Sequence, residues 1–533
     1  MSTFDYIIVG GGTAGCILAD RLTTSGRFRV LVLEAGGEPN GFWIPIPAGF
    51  SKLLTNKKYN WRFKTQAEDG TLGREISVPR GKGLGGSTLI NGGIYVRGQK
   101  GDYDHWEQLG AKGWNFDTLK PYFNKFENYA QGGENRGHDG PMHVHQVSER
   151  FPVSDAFMEA ALQDGHSYNE DYNGNDQAGF GYYQVLQRQG RRWSVVDGYL
   201  KRARKRSNLH IETNAHVLRI ELEGQHCRGL TYRKNGKEFT VKANREVILC
   251  SGAIQTPHLL ELSGIGRADV LADVGIKVRH ELNGVGENYI DHFATRMNWR
   301  LKDGIVTLNE MARGWRLGLA VTEYFTKRTG ILTLGTGLVH GFIKTEPSMP
   351  TPDVQFFVVH ASYANAAERI LDKHPGLTIG VSQLRPKSKG SIHIQSADPN
   401  EMPAIRPNFL AEEEDRTSMV NGMKVARRIM EQPAMRDLVE QEVSPGSATR
   451  TDSQWLDFAR ENGQTIYHPL GTCRMGEDEG AVVDSTLHVR GLKGLRVVDA
   501  SVMPSMISGN IQGAVMAVAE RAADLILEEA DRA

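Results

Sequence analysis

Cysteine is scarce in this chain. Only Cys16, Cys227, Cys250 and Cys473 occur in 533 residues. They are widely spaced and form no C-x-x-C pair, so neither a disulfide framework nor a zinc-type thiolate set is encoded; a reducing compartment is implied. Each reads as a small buried apolar residue. Net charge is also missing, because 63 Lys and Arg balance 63 Asp and Glu, and no overall field draws the protein to nucleic acid or an anionic membrane. No run of 18 apolar residues is present, which excludes an integral membrane segment. Met1 to Asp5 enter an apolar strand without a basic leader or cleavage site. Internal repeats, low-complexity tracts, a G-x-S-x-G elbow and an H-E-x-x-H helix are absent too, which removes the usual hydrolytic and metal signatures. These absences predict a soluble, cytoplasmic protein that binds no metal and whose partners are small molecules.

Glycine, by contrast, is abundant, with 60 residues against an average usage of ~7%. The excess suggests tight turns and places where backbone approaches a ligand closely. Length alone predicts two domains with enough buried surface to hold a large cofactor. The opening segment is the most informative. FDYIIV at 4–9 is a short apolar run, GGGTAG follows at 10–15, a helical pattern runs through ILADRL, and RVLVL at 29–33 ends in Glu34. Strand, glycine turn, helix, strand and acid together form a dinucleotide-binding unit. Gly10 permits the turn, Gly12 lets a pyrophosphate approach backbone N–H groups at the positive helix end, and Gly15 allows helix and strand to pack. Glu34 is placed to accept hydrogen bonds from the adenosine ribose. Thr13 and Ala14 within the turn, and Ala35 after the acid, complete the expected contacts. NAD and FAD remain equally possible from this unit alone. A second GxGxxG at Gly81–Gly86 follows the polar, proline-broken REISVPR, so it reads as a loop lying against a cofactor.

Further along, EVILC at 246–250 and LRVVDA at 495–500 read as buried strands of a doubly wound sheet. DVQFFVVHA, LTIGVSQL and GSIHIQS read as strands of an antiparallel sheet roofing a pocket. MHVHQV at 142–147 sets His143 and His145 on one strand face, a pair without a third ligand. KRARKR at 201–206 reads as a solvated helix end.

Five segments in order carry a family resemblance. GKGLGGSTLINGGIYVRGQKGDYD (81–104), GAIQTPHLLELSGIG (252–266), NGVGENYIDH (283–292), YHPLGTCRMG (467–476) and VVDASVMPSMISGN leading to Asn510 resemble the glucose-methanol-choline (GMC) oxidoreductases, in their choline dehydrogenase-like, alcohol dehydrogenase and oxidase branch. The resemblance implies an α/β fold. A Rossmann-like FAD-binding domain from residues 1–155, 210–295 and 480–533 would interleave with a substrate-binding domain from 156–209 and 296–479, built on an antiparallel sheet flanked by helices. It also implies that Gly86, Asn91, Gly92 and Ile94 contact the flavin, Val217 the adenine, and Asp499 with Ala500 the ribityl region. Some relatives join the flavin covalently to a histidine at the position of Ile90; isoleucine forms no such bond, so FAD is expected to be non-covalent.

The activity so implied is oxidation of an alcohol, with a primary alcohol favoured, by proton abstraction and hydride transfer to the flavin. Oxygen or a quinone would take the electrons. His468, which Pro469 pushes out of helical geometry, is the expected base, with an ordinary pKa near ~6.5 suited to exchanging protons near neutrality. Asn510, at the start of a helix expected over 511–528, completes the catalytic pair and is also a natural helix cap. The alternative is a non-redox member of the same family, such as a hydroxynitrile lyase or photodecarboxylase.

Overall fold

The computed structural model describes residues 3–365 and 370–532. Two sheets organise it. The first is seven-stranded and begins with Thr3–Val9 at its centre. This strand pairs in parallel with Val30–Glu34 on one side and the long strand Lys237–Leu249 on the other. Leu209–Thr213 extends the parallel set beyond Val30–Glu34, and Leu495–Val497 joins the end of Lys237–Leu249. The first half of that long strand instead pairs antiparallel with His226–Lys234, which pairs with His216–Glu223.

Continuous apolar runs such as VLVLE and EVIL are what a sheet covered on both faces requires. Val9 lies opposite both Leu33 and Leu249, so the turns after these three strands emerge together at one sheet edge. That edge, at the carboxyl ends of parallel strands, is where open α/β sheets bind ligands.

The helix Thr13–Thr23 follows the glycine turn with nine of its 11 residues buried. It packs against the C-terminal helix Gln512–Arg532. Arg21 ties the two together through Glu520 and Asp524, and the Tyr199 hydroxyl donates to Glu520 at 2.7 Å. Gly15 has no alternative in this packing, because a Cβ there would lie 1.9 Å from the Gly10 carbonyl oxygen.

The second sheet is also seven-stranded. Its order is Val439–Ser444, Phe293–Leu301, Gly376–Gln383, Val354–Val359, Val339–Ile343 and Gly179–Tyr182, with Gln464–Thr465 pairing beside Phe293–Leu301. Every pairing is antiparallel. The helix Glu413–Met430 covers its outer face. Its first turn carries Glu413, Glu414 and Asp415 and its last Arg427 and Arg428, charges of the signs that the helix dipole favours at each end. Gly422 brings this helix close, since a Cβ there would meet Val381 Cγ1 at 2.7 Å. Each sheet has its own apolar core.

Several sequence expectations change. Val354–Val359 and Gly376–Gln383 are neighbours in the second sheet as expected, but the Ser391–His393 strand of GSIHIQS pairs with Ala404–Arg406 in a separate two-stranded ribbon. The basic run is not simply a solvated helix end: Arg202 and Arg206 both pair with the buried Asp20, and Arg204 with Glu38. His143 packs edge-on against Trp193, and His145 Nδ1 lies 2.7 Å from the Gln146 carbonyl. The final helix runs from Gln512 to Arg532, longer than expected. Among the described residues no helix is long and apolar enough to cross a membrane.

Candidate active site

One continuous cleft runs from the edge of the parallel sheet to the inner face of the antiparallel one. Gly10, Gly12, Thr13, Ala14, Glu34, Ala35, Gly86, Asn91, Gly92, Ile94, Val217, Asp499, Ala500, His468 and Asn510 all line it. Gly15 is not part of the wall; it acts through packing. At the sheet edge the helix Thr13–Thr23 is preceded by Gly12, has no side-chain cap, and carries no acid in its first turn. Its free N–H groups and positive dipole end therefore suit the pyrophosphate of a dinucleotide. Gly86 faces this turn with φ +52°, and a Cβ on it would come within 2.8 Å of Gly12 Cα. The second glycine motif is thus a loop folded over the first, opening into a short 3₁₀ turn over Gly86–Leu89 rather than a second nucleotide unit.

Glu34 is buried and more occupied than expected. Its Oε2 accepts from Gly11 N at 2.9 Å, and its Oε1 accepts from Gly36 N at 2.7 Å and Gly83 N at 3.0 Å. One carboxylate thus ties three loop segments together, and a ribose hydroxyl would find its acceptor on Oε2. Asp499 has a comparable job. It accepts from Gly252 N at 2.8 Å, Thr256 Oγ1 at 2.7 Å and Ser501 N at 2.8 Å, joining the helix Gly252–Leu262 to its own turn. Burial, opposed by these hydrogen bonds, raises its pKa. Asn91 is braced in turn: it donates to Gln512 Oε1, and its Oδ1 accepts from Gly93 N and from Arg192 at 2.9 Å. Arg192 is buried, its pKa lowered by that burial to about 10, and it also donates to the carbonyls of Ile44 and Asn91.

At the other end His468 sits in a loop whose geometry is dictated from several sides. Tyr467 before it has φ +74°, a strained value for a bulky side chain. The strain is held by a bond from Tyr467 N to Thr465 Oγ1 at 2.7 Å and one from Arg80 to the Tyr467 carbonyl at 2.7 Å. Asp291 accepts from the backbone N–H of His468 at 2.8 Å, from the Tyr289 hydroxyl at 2.9 Å and from Thr465. Leu470 and Ile290 exchange backbone bonds at 3.0 and 3.1 Å. The YHPLG and NYIDH segments are thereby zipped together.

The His468 ring has two directed partners. His292 Nε2 lies 2.9 Å from the Leu384 carbonyl oxygen, which only accepts, so Nε2 carries the proton of a neutral His292 and its Nδ1 is an acceptor. His468 Nδ1 lies 2.9 Å from that nitrogen and must donate to it. The lone pair of neutral His468 is therefore on Nε2, 3.1 Å from the Asn510 amide nitrogen. Burial, with minor help from His292 and Arg80, holds the His468 pKa well below its ordinary value, and burial lowers that of His292 to about 4. The ordinary pKa expected from the sequence is thus displaced, because a buried imidazolium loses its hydration. Asn510 does not serve as the expected cap: its side chain is directed to His468 and to Gln355, which donates to its Oδ1 at 3.4 Å.

Asp291, His292, Arg80, Arg192 and Gln355 were not singled out in the sequence. A signal existed for the first two, an ionisable pair inside the NYIDH landmark; the others sit in segments without a motif.

GMC oxidoreductase family models match residues 4–294 and 386–519. The chain is 38% identical to an alcohol dehydrogenase [acceptor] of Pseudomonas putida, over 99% of this chain and 97% of the relative. It is 39% identical to an oxygen-dependent choline dehydrogenase of Vibrio vulnificus, over 99% and 94%. Pyridoxine 4-oxidase from Mesorbium loti superposes with a TM-score of 0.90 at 30% identity, over 98% of this chain and 99% of that one. Uncapped helix start, folded glycine loops and buried histidine-asparagine pair thus occur in a chain that belongs to the GMC oxidoreductases, FAD-dependent enzymes acting on CH–OH donors.

Proposed function

We propose that the protein oxidises a primary alcohol to the aldehyde, with His468 as general base, Asn510 as its partner and FAD held non-covalently. Bound FAD supplies the hydride acceptor. Gly10, Gly12, Thr13 and Ala14 would hold its pyrophosphate, Glu34, Ala35 and Val217 its adenosine, and Gly86, Asn91, Gly92, Ile94, Asp499 and Ala500 the remainder. Ile90 lines the cleft and offers no atom for a covalent bond. The two sheets support a division into an FAD-binding unit of 1–155, 210–295 and 480–533 and a substrate-binding unit of 156–209 and 296–479.

The observation that carries this reading is the unprotonated Nε2 of His468, turned toward the Asn510 amide in the cleft. A hydroxyl oxygen that comes within reach of both, in place of their direct 3.1 Å bond, donates its proton to Nε2 and accepts from the Asn510 NH₂. As the proton leaves, the oxygen gains negative charge, the carbon becomes a stronger hydride donor, and the amide dipole stabilises that charge. The buried setting keeps His468 neutral and ready to accept. Oxygen or a quinone as final acceptor fits the same half-reaction.

The test is anaerobic stopped-flow reduction of the flavin by an α-deuterated alcohol. His468→Ala with full flavin content is expected to reduce more slowly by ~10²–10⁴-fold, the usual contribution of a general base. Wild-type reduction by this variant would remove His468 from the mechanism. Absence of any bleaching in the native protein across an alcohol panel would favour a non-redox reaction on the same scaffold.

A further inference from the structure

Asn510 helps only if its amide points the right way. Its two ends are a donor and an acceptor of nearly equal size, and a half-turn would present Oδ1 instead of NH₂ to His468. The buried groups behind it decide between these states. The Tyr183 hydroxyl donates its single proton to the Phe356 carbonyl at 3.0 Å, which only accepts. What Tyr183 offers Gln355 is therefore a lone pair, and the Gln355 NH₂ meets it at 3.0 Å. The same NH₂ lies 3.4 Å from Asn510 Oδ1. Tyr183 and Gln355 are both fully buried, so water does not compete for these bonds. Gln355 lies on Val354–Val359, in the middle of the antiparallel sheet, which fixes its backbone.

We propose that Gln355 is a positioning residue that, oriented by Tyr183, turns the Asn510 amide so that its NH₂ faces His468 Nε2 and the reacting hydroxyl. Together with the bond from His292 to the Leu384 carbonyl, this closes a chain of hydrogen bonds between two backbone carbonyls, of Phe356 and Leu384, each of which sets the direction of every bond leading from it to the reacting pair. The proposal rests on the assignment of His468 and Asn510 as the catalytic pair.

The test compares Gln355→Met, Gln355→Glu and Tyr183→Phe as flavin-loaded enzymes, with flavin content and melting temperature measured for each, by anaerobic flavin reduction across pH. In Gln355→Met the amide loses its guide. The limiting reduction rate is expected to fall about tenfold, the worth of one hydrogen bond, with the acid limb of the pH profile unmoved and alcohol binding little changed. Gln355→Glu, as a carboxylate, only accepts. It draws the Asn510 NH₂ away and leaves Oδ1 against Nε2, which favours a proton on that nitrogen, so the acid limb is expected to move to higher pH by about one unit or more. His292, Asp291 and Arg80, the other ionisable groups facing His468, are unchanged in every variant. Tyr183→Phe should show a smaller loss of the Gln355→Met type. Equal rates in all three variants, or a Glu variant whose pH limb coincides with that of the Met variant, would overturn the proposal. Wild-type reduction by His468→Ala would instead remove the assignment on which it rests, so the two failures are distinguishable.

Discussion

The tautomer of His468, the proposed base, is set through His292 by a carbonyl that it does not itself touch. The Leu384 carbonyl fixes the tautomer of His292, and His292 fixes that of His468. His292→Phe keeps a flat ring but removes the acceptor, leaving a buried N–H unpaired and both tautomers of His468 accessible. Flavin reduction is expected to slow by about tenfold to a hundredfold at unchanged flavin content, measured by stopped flow. The pH dependence follows from the direction of the shift. Burial lowers the His468 pKa, so the neutral, proton-accepting form persists as pH falls below the ordinary histidine range. The limiting rate of flavin reduction is expected to stay flat from pH 8 to about 6.5 and to decline only in more acidic solution. A limb centred at or above about 6.5 would contradict the buried, neutral base. Asn510→Ala, which removes one positioning bond, should cost less than His468→Ala, on the order of 1–3 kcal/mol in activation free energy by the same measurement.

At the scale of elements, single buried carboxylates join segments far apart in the chain. Glu34 satisfies N–H groups of Gly11, Gly36 and Gly83. Glu34→Ala would orphan all three in a cleft wall, at about 1–3 kcal/mol for each buried unpaired donor. Its expected phenotype is therefore twofold: weaker FAD retention on gel filtration and a lower melting temperature of the flavin-free protein. Loss of flavin with unchanged stability would mean that the glycine loops do not depend on this carboxylate.

A second tie is titratable. His393, on the ribbon, bonds Glu261 of the helix Gly252–Leu262 at 2.7 Å and Glu287 at 3.2 Å. Burial opposes its charge, but hydrogen bonds and attraction from the two carboxylates outweigh this and raise its pKa to about 9. A histidine whose pKa is raised by folding stabilises the fold fully below its unfolded pKa, near ~6.5. The contribution is lost as pH rises through about 9. The stability difference between the native protein and His393→Gln, from denaturant unfolding, is expected to be largest at about pH 6.5 and to shrink as pH rises toward 9.

At the scale of the whole molecule, the cleft exists because two separately cored sheets face one another across it. The cofactor is expected to bridge them without a covalent bond, so acid or heat should release yellow FAD into the supernatant. Flavin retained by the precipitated chain would contradict that.

Much of this arrangement is legible in residue order. The FDYIIV, GGGTAG and RVLVLE sequence specifies strand, turn, helix and strand because those preferences are local: a 3.6-residue or continuous apolar pattern, and glycines where a side chain would collide. The identities of His468, Asn510 and Ile90 were likewise readable from motifs. Which nitrogen of His468 holds the lone pair was not, nor that Glu34 is shared among three loops, nor that Gln355 stands behind Asn510. These depend on partners up to 176 residues away in the chain and on burial, which strips water from the groups and makes the direction of each remaining hydrogen bond count. Local chemistry chose the residues; packing of the two sheets chose their protonation, orientation and neighbours, because desolvation and hydrogen-bond direction arise only once distant segments are in contact.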